Sequence, residues 1–254
     1  MDATLDATAW DGALRELGGS LMQSWRWGEL RRGHGWEVER LRVDGPHGIA
    51  LAQVLFKRVG PVSLAYVLHG PALGGEAPAV FGQLVAALDD ACRRHRAVSL
   101  VLEPDRPLPL TGTYKSVGFV RGPGHFEMSQ TVKVPLGSDE MLLAQMRPDK
   151  RQEIRQAQRR GIVVERVSPE PSALAMFYDL LQDTERRNQF RIKPRAYYED
   201  LLQIFRDDAV LLFAWVDGVV AVGIIAARFG NEGYYLYSGS STAHRRQGAT
   251  ANDQ

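Results

Sequence analysis

An α+β fold in two units is what this sequence predicts, on three observations. Helical patterns and strand-like runs come in blocks rather than in strict alternation. The order, helices followed by antiparallel strands, occurs twice along 254 residues, giving a first unit over 1–140 and a second over 141–254. Hydrophobic residues at 44% and charged residues at 24% sit at globular averages, which excludes disordered and fibrous chains.

The first unit opens with a helix at Trp10–Leu17, followed by a stretch in which Leu21, Trp25 and Leu30 fit a helix packed onto something else. Strand-like runs follow at 37–43, 49–58 and 62–68, separated by the turn sequences Asp-Gly-Pro-His-Gly and Val-Gly-Pro. This is the pattern of an antiparallel meander. An amphipathic helix over 77–96 places Val80, Leu84, Ala87, Leu88 and Cys92 on one face, and a strand at 97–103 comes next. A strand at 129–135 is expected to close the unit.

In the second unit Ser138 can cap a helix, and Pro148 can start another that Gly161 stops. A strand at 162–167, helices at 172–187 and 194–205, and strands at 209–215, 219–228 and 233–240 follow. Asp217-Gly218 and Gly230-Asn231 supply the last two turns. The final strand runs into a glycine-containing loop with no covering helix, so the second unit is expected to be incomplete.

Several function classes drop out. No apolar run approaches the roughly 20 residues of a membrane helix, and the acidic N-terminus lacks the pattern of an export signal. One cysteine excludes an internal disulfide framework, and six scattered histidines give no metal-ligand spacing, so no metal is expected. The expected address is the cytosol. A net charge of +1 does not mark a nucleic-acid binder, although 26 of the 31 basic residues are arginine, the side chain suited to phosphate and carboxylate.

Three stretches could bind anions. Arg245, Arg246, Gly248 and Ala249 follow a strand with the spacing of the pyrophosphate loop of acetyl-CoA-dependent N-acetyltransferases, but Thr250 replaces the last small residue. On the helix at 148–160, Arg151, Arg155 and Arg159 recur every four residues as one basic stripe. In the segment 186–198, Arg191 and Lys193 stand at the positive end of the helix that Pro194 begins, a clash with the dipole that an anionic ligand would relieve. No general base is legible, and catalytic residues stay unassigned.

Four ordered segments together carry a resemblance: QSWRWGELRRGHGWEV, YVLHGPAL, MRPDKRQEIRQAQRRGIVVE and YYLYSGSSTAHRR. They resemble the Fem-type (FemABX) peptidoglycan-bridge aminoacyltransferases, whose pattern has a Gln-Ser-x-x-Trp-Gly helix, a Tyr-Val-x-x-Gly-Pro turn, a basic helix ending in Gly, and a Tyr-x-Tyr-x-Gly-Ser strand. The resemblance implies two acetyltransferase-like (GNAT-like) domains side by side, with substrate between them. It implies transfer of an amino acid from aminoacyl-tRNA to the stem-peptide side-chain amine of lipid II or UDP-MurNAc-pentapeptide. No cofactor beyond the tRNA co-substrate is implied, and the working place would be the cytoplasm, at the inner face of the membrane. Arg31 and Lys193 match cations that meet the acceptor diphosphate; Trp36, Tyr197 and Tyr237 match substrate-lining positions. The chain ends before the family's last helix, Asp-x-x-Gly strand and Lys-containing segment, which marks it as C-terminally truncated and leaves its own activity open. Two other functions fit the residues: a CoA-dependent N-acyltransferase using 245–249, and an inactive module that holds anionic cell-wall precursors or tRNA.

Overall fold

The computed structural model describes residues 6–108, 110, 112–122 and 131–243. It divides into two compact units, Met1–Thr131 with Phe229–Asn231, and Val132–Arg228 with Glu232–Gln254.

The first unit begins with α1 (Ala7–Glu16), capped by the Asp6 carboxylate accepting the Ala9 N–H at 2.8 Å. Ser24 caps α2 (Trp25–Gly33) in the same way, accepting from the Trp27 N–H at 3.3 Å. The meander expected from the sequence is present as β1 (Glu37–Gly45), β2 (Gly48–Val59) and β3 (Val62–Leu68), paired antiparallel in order. A short β4 (Ala72–Gly75) joins the start of β2. Nothing in Ala-Leu-Gly-Gly favours a strand by propensity; close approach does. A Cβ at Gly48 or Gly75 would strike the backbone of the opposite strand, and both glycines have positive φ. Helix α3 (Ala77–Arg94) then crosses over to β5 (Ala97–Glu103), which lies parallel to β3. A single turn, α4 (Thr113–Ser116), follows, with Tyr114 edge-on to Phe81 at 5.4 Å.

The strand expected at 129–135 is not formed over its described part, 131–135. Val132 and Val134 alternate as strand residues do, but they are 85% and 61% exposed. Alternation alone does not make a strand without a partner backbone and a face to bury.

Register divides the sheet into two faces. Val54, Phe56, Ala65 and Val67 point to α3 and pack with Val80, Phe81, Leu84 and Leu88. Gln53, Leu55 and Lys57 alternate with them, and Leu55 pairs with Tyr66, so these four residues share the face that α2 approaches. There the packing is polar as well as apolar. The Gln23 Oε1 accepts the Gln53 N–H at 2.7 Å, and its Nε2 donates to the Leu68 carbonyl at 2.7 Å. The Gln53 amide donates in turn to the carbonyls of Met22 and Ser24, at 3.2 and 3.1 Å, and accepts from Arg40 Nε at 3.0 Å. The Trp10 indole donates to the Gln23 carbonyl at 2.8 Å, which ties α1 into the same network.

In the second unit Ser138 caps α5 (Asp139–Gln145) and Gly161, at φ +71°, stops α6 (Pro148–Arg159), both as the sequence indicates. The sheet runs β6 (Val163–Val167), β7 (Ala209–Val216), β8 (Val219–Phe229), β9 (Glu232–Ser240). Asp217 and Gly218 both take positive φ, the condition for a tight two-residue hairpin. Helices α7 (Pro171–Asn188) and α8 (Arg195–Phe205) lie on this sheet, α7 against β9 and α8 against β7. Phe177, Leu181, Leu201 and Phe205 on these helices are buried, as are Leu211, Phe213 and Ile225 on the strands. Among the described residues, no helix is long and apolar enough to cross a membrane.

Gln23→Leu keeps the volume but strands the Gln53 N–H and the Leu68 carbonyl in the interior. It should destabilise the first unit by about 1 to 3 kcal/mol in urea unfolding; a loss below about 0.5 kcal/mol would show that the amide network is dispensable.

Candidate functional site

The two units each hold one group of the residues singled out from the sequence. In the first unit the decisive local structure is the end of α2. Gly35, at φ +75°, donates to the Arg32 carbonyl at 3.3 Å, and the Trp36 N–H donates to the Arg31 carbonyl at 3.2 Å. This pair of bonds is a Schellman motif, which brings the residue after the glycine back against the side chain five positions earlier. Here that contact joins a cation to a ring: the Arg31 guanidinium carbon lies 4.6 Å from the centroid of Trp36. The Tyr66 ring meets Trp36 edge-on at 5.7 Å.

Arg31 is only 5% exposed. Among the described residues its Nε has no hydrogen-bond partner and no carboxylate pairs with it. The acids nearby are committed elsewhere: Glu29 to Arg32 and Arg40, Glu37 to Arg58 and His95. A buried cation without a counter-charge is costly, and an anionic ligand would offset that cost.

In the second unit Tyr197 and Tyr237 come together. Their hydroxyls are 3.1 Å apart and hydrogen-bonded, with ring centroids 5.9 Å apart and nearly perpendicular. Tyr197 is 1% exposed, so the half-buried Tyr237 is the member of the pair nearer solvent. Lys193 is exposed and directly precedes Pro194, the N-cap of α8. Its N–H donates to the Tyr198 hydroxyl at 3.1 Å, and the Glu185 carboxylate accepts the Ile192 N–H at 3.0 Å. Burial pushes the Tyr198 phenol up to about 12; the Lys193 N–H opposes this, while Tyr197, Tyr178 and Glu185 add to it.

Tyr237 is held by the end of β9. A Cβ on Gly239 would meet the backbone of Leu180 and Leu181, so α7 lies directly on the strand there. Beside it the Ser240 N–H donates to the Thr184 hydroxyl at 2.9 Å, and Arg187 donates to the Ser240 hydroxyl at 2.9 Å and carbonyl at 3.2 Å.

The structure thus joins Arg31 with Trp36, and Tyr197 with Tyr237, while Lys193 is held by Tyr198. The basic stripe is altered: Arg151 reaches back to the end of α5 and donates to the Met146 carbonyl at 3.0 Å. The loop at 245–249 lies outside the described residues. Lys57, which the sequence reading passed over, lies on the Trp36 ring at 5.4 Å from its centroid. Its signal was the strand parity that puts it on the same face as Gln53 and Leu55.

Residues 129–219 match the model of the FemAB family. The chain is similar to the Fem-type peptidoglycan-bridge transferases. It is 26% identical over 206 residues to a lipid II:glycine glycyltransferase of Staphylococcus aureus strain MRSA252, and 25% identical to that of strain USA300. These alignments cover 75% of this chain and 48% of each relative, so the chain spans about half the length of the curated relatives it matches. The crystal structure of FemX superposes with a TM-score of 0.79 at 19% identity, covering 97% of this chain and 84% of that one. A weaker likeness, TM-score 0.52 at 16% identity, is to the C-terminal domain of a putative lysylphosphatidylglycerol synthetase from Agrobacterium fabrum, covering 97% of this chain and 72% of that one.

The Fem-type motifs now have physical roles. Gln23 and Ser24 are the amide latch and the α2 cap, and Gly70 of the Gly-Pro turn leaves no room for a Cβ against the Gln23 side chain. Gly239 and Ser240 are the contact and the latch that fix β9 on α7.

An unfolded tyrosine loses its proton near pH 10 and Tyr198 near 12, so its contribution to stability is complete below pH 10 and declines as pH rises towards 12. A tyrosinate absorbance titration should show a late step near pH 12 that Tyr198→Phe removes. A late step that survives the substitution would assign it to another residue.

Proposed function

We propose that this chain is the substrate-binding part of a tRNA-dependent aminoacyltransferase that extends the stem peptide of a peptidoglycan precursor. The domains would be GNAT-like, and the acceptor lipid II or UDP-MurNAc-pentapeptide, met at the inner face of the membrane. The observation that carries this reading is Arg31, a cation almost removed from solvent, seated on an indole and lacking a carboxylate partner among the described residues. Such a group suits a diphosphate, the anionic link common to both precursors. The names of the relatives support the same class of acceptor.

The reaction needs the acceptor amine to attack the ester carbonyl of the aminoacyl-tRNA, forming an amide while the tRNA hydroxyl leaves with a proton. Arg31 and Trp36 would hold the acceptor through its diphosphate, and Tyr197, Tyr237 and Lys193 would line the substrate on the second unit. Positioning of this kind can supply much of the rate acceleration in a reaction between two bound substrates.

Binding of UDP-MurNAc-pentapeptide measured by calorimetry tests the reading. Arg31→Ala should weaken it about ten- to a hundredfold, the loss of one charge-assisted contact of roughly 1.5 to 3 kcal/mol. Unchanged binding by Arg31→Ala, or saturable binding of acetyl-CoA in place of the precursor, would refute it.

A further inference from the structure

We infer that Lys57 is a second anion-binding cation, and that Lys57 and Arg31 form a two-pronged seat for a diphosphate across the indole of Trp36. The inference rests on the reading of Arg31 just given and adds a residue to it. Both cations lie within the roughly 6 Å of one ring centroid at which a ring attracts a cation, Arg31 at 4.6 Å and Lys57 at 5.4 Å. They come from different elements, α2 and β2, and are held in place independently. Arg31 is fixed by the Schellman turn at the end of α2. Lys57 is fixed by its strand register opposite Leu64 and by its ammonium donating to the Gly35 carbonyl at 2.9 Å.

That carbonyl takes one of three ammonium donors, and two remain. Among the described residues Lys57 has no carboxylate partner, and neither has Arg31. Every acid on α2 and β1 that could serve is engaged: Glu29 with Arg32 and Arg40, Glu37 with Arg58 and His95, Glu39 with Arg94 and His95, and Asp44 with Arg42. Two positive groups gathered on one ring, while the surrounding acids neutralise other cations, repel each other in the absence of a ligand. A single phosphate monoanion answers one of them. A diphosphate, with charge on two linked phosphorus centres, answers both, and its two groups can be met by the planar edge of Arg31 and the compact ammonium of Lys57.

The test is calorimetric titration of the full chain with inorganic pyrophosphate, inorganic phosphate, UDP-MurNAc-pentapeptide and lipid II in detergent micelles. The parent should prefer pyrophosphate to phosphate. Lys57→Gln should weaken pyrophosphate and precursor binding about tenfold while changing phosphate binding little, and Lys57→Arg should stay within about threefold of the parent. Loss with both UDP-MurNAc-pentapeptide and lipid II would support the shared diphosphate as the ligand. Loss with only one would also support the seat and name its source. If Lys57→Gln binds pyrophosphate and precursor like the parent while Arg31→Ala does not, Lys57 is no prong and the Arg31 reading stands. If Lys57→Gln and Lys57→Arg lose affinity equally, the residue serves only the turn at Gly35, and the proposal is overturned. If Arg31→Ala also binds like the parent, both readings fall together.

Discussion

The reciprocal pairing of Gln23 and Gln53 is the contact on which the first unit depends. The Gln23 amide accepts the Gln53 N–H and donates to the Leu68 carbonyl, and the Gln53 amide donates to the carbonyls of Met22 and Ser24, so the turn before α2 and the middle of β2 cannot shift separately. A buried amide is tolerated only when its donors and acceptors are met. That condition is stricter than apolar contact, because it fixes direction as well as proximity. Gly28 follows from it: helix and strand are so close that a Cβ there would run into the Gln53 amide. Arg31 is one turn further along the same helix, so its depth over the sheet is inherited from the amide pair.

The second unit uses a smaller version of the same device. Thr184 and Arg187 on α7 take the N–H, hydroxyl and carbonyl of Ser240, and Gly239 lets the strand come against the helix backbone. Tyr237 lies two residues before Gly239 and so on the same side of β9, which places its hydroxyl within reach of Tyr197. In both units a glycine supplies nearness and a neighbouring polar side chain supplies direction. The aromatic or cationic residue that could meet a ligand stands a short, fixed interval away.

Much of this was legible in the sequence, for identifiable reasons. The meander, the long helices and the caps at Ser138 and Gly161 were visible because periodicity and turn residues are local properties. Strand β4 was not, because four residues of low strand propensity are held there by glycine-on-glycine approach. Over 131–135, the described part of the strand expected at 129–135, none forms for the converse reason: valines at 132 and 134 give the alternation, but both are exposed. Among the site residues, Arg31 was found through resemblance, whereas its burial and its lack of a carboxylate partner among the described residues are tertiary facts. Lys57 was passed over because a lysine on a strand reads as a solvated edge until the register and the Gly35 turn bring it to an indole. Arg151 looked like one cation of a stripe, yet it serves as a cap for the carbonyls that end the preceding helix.

The glycines at 28, 70 and 239 carry a consequence for how kinship with this protein is detected. The letters that make the chain recognisable are spent on joining helices to strands, and the ligand-facing atoms belong to other letters. A descendant could therefore keep every recognisable glycine and glutamine, and with them its shape, after exchanging Arg31 for a neutral residue. Its ancestry would be unmistakable and its chemistry gone. The reverse is also open: a distant cousin with different latches could present the same cation on the same indole and escape notice by any comparison of motifs.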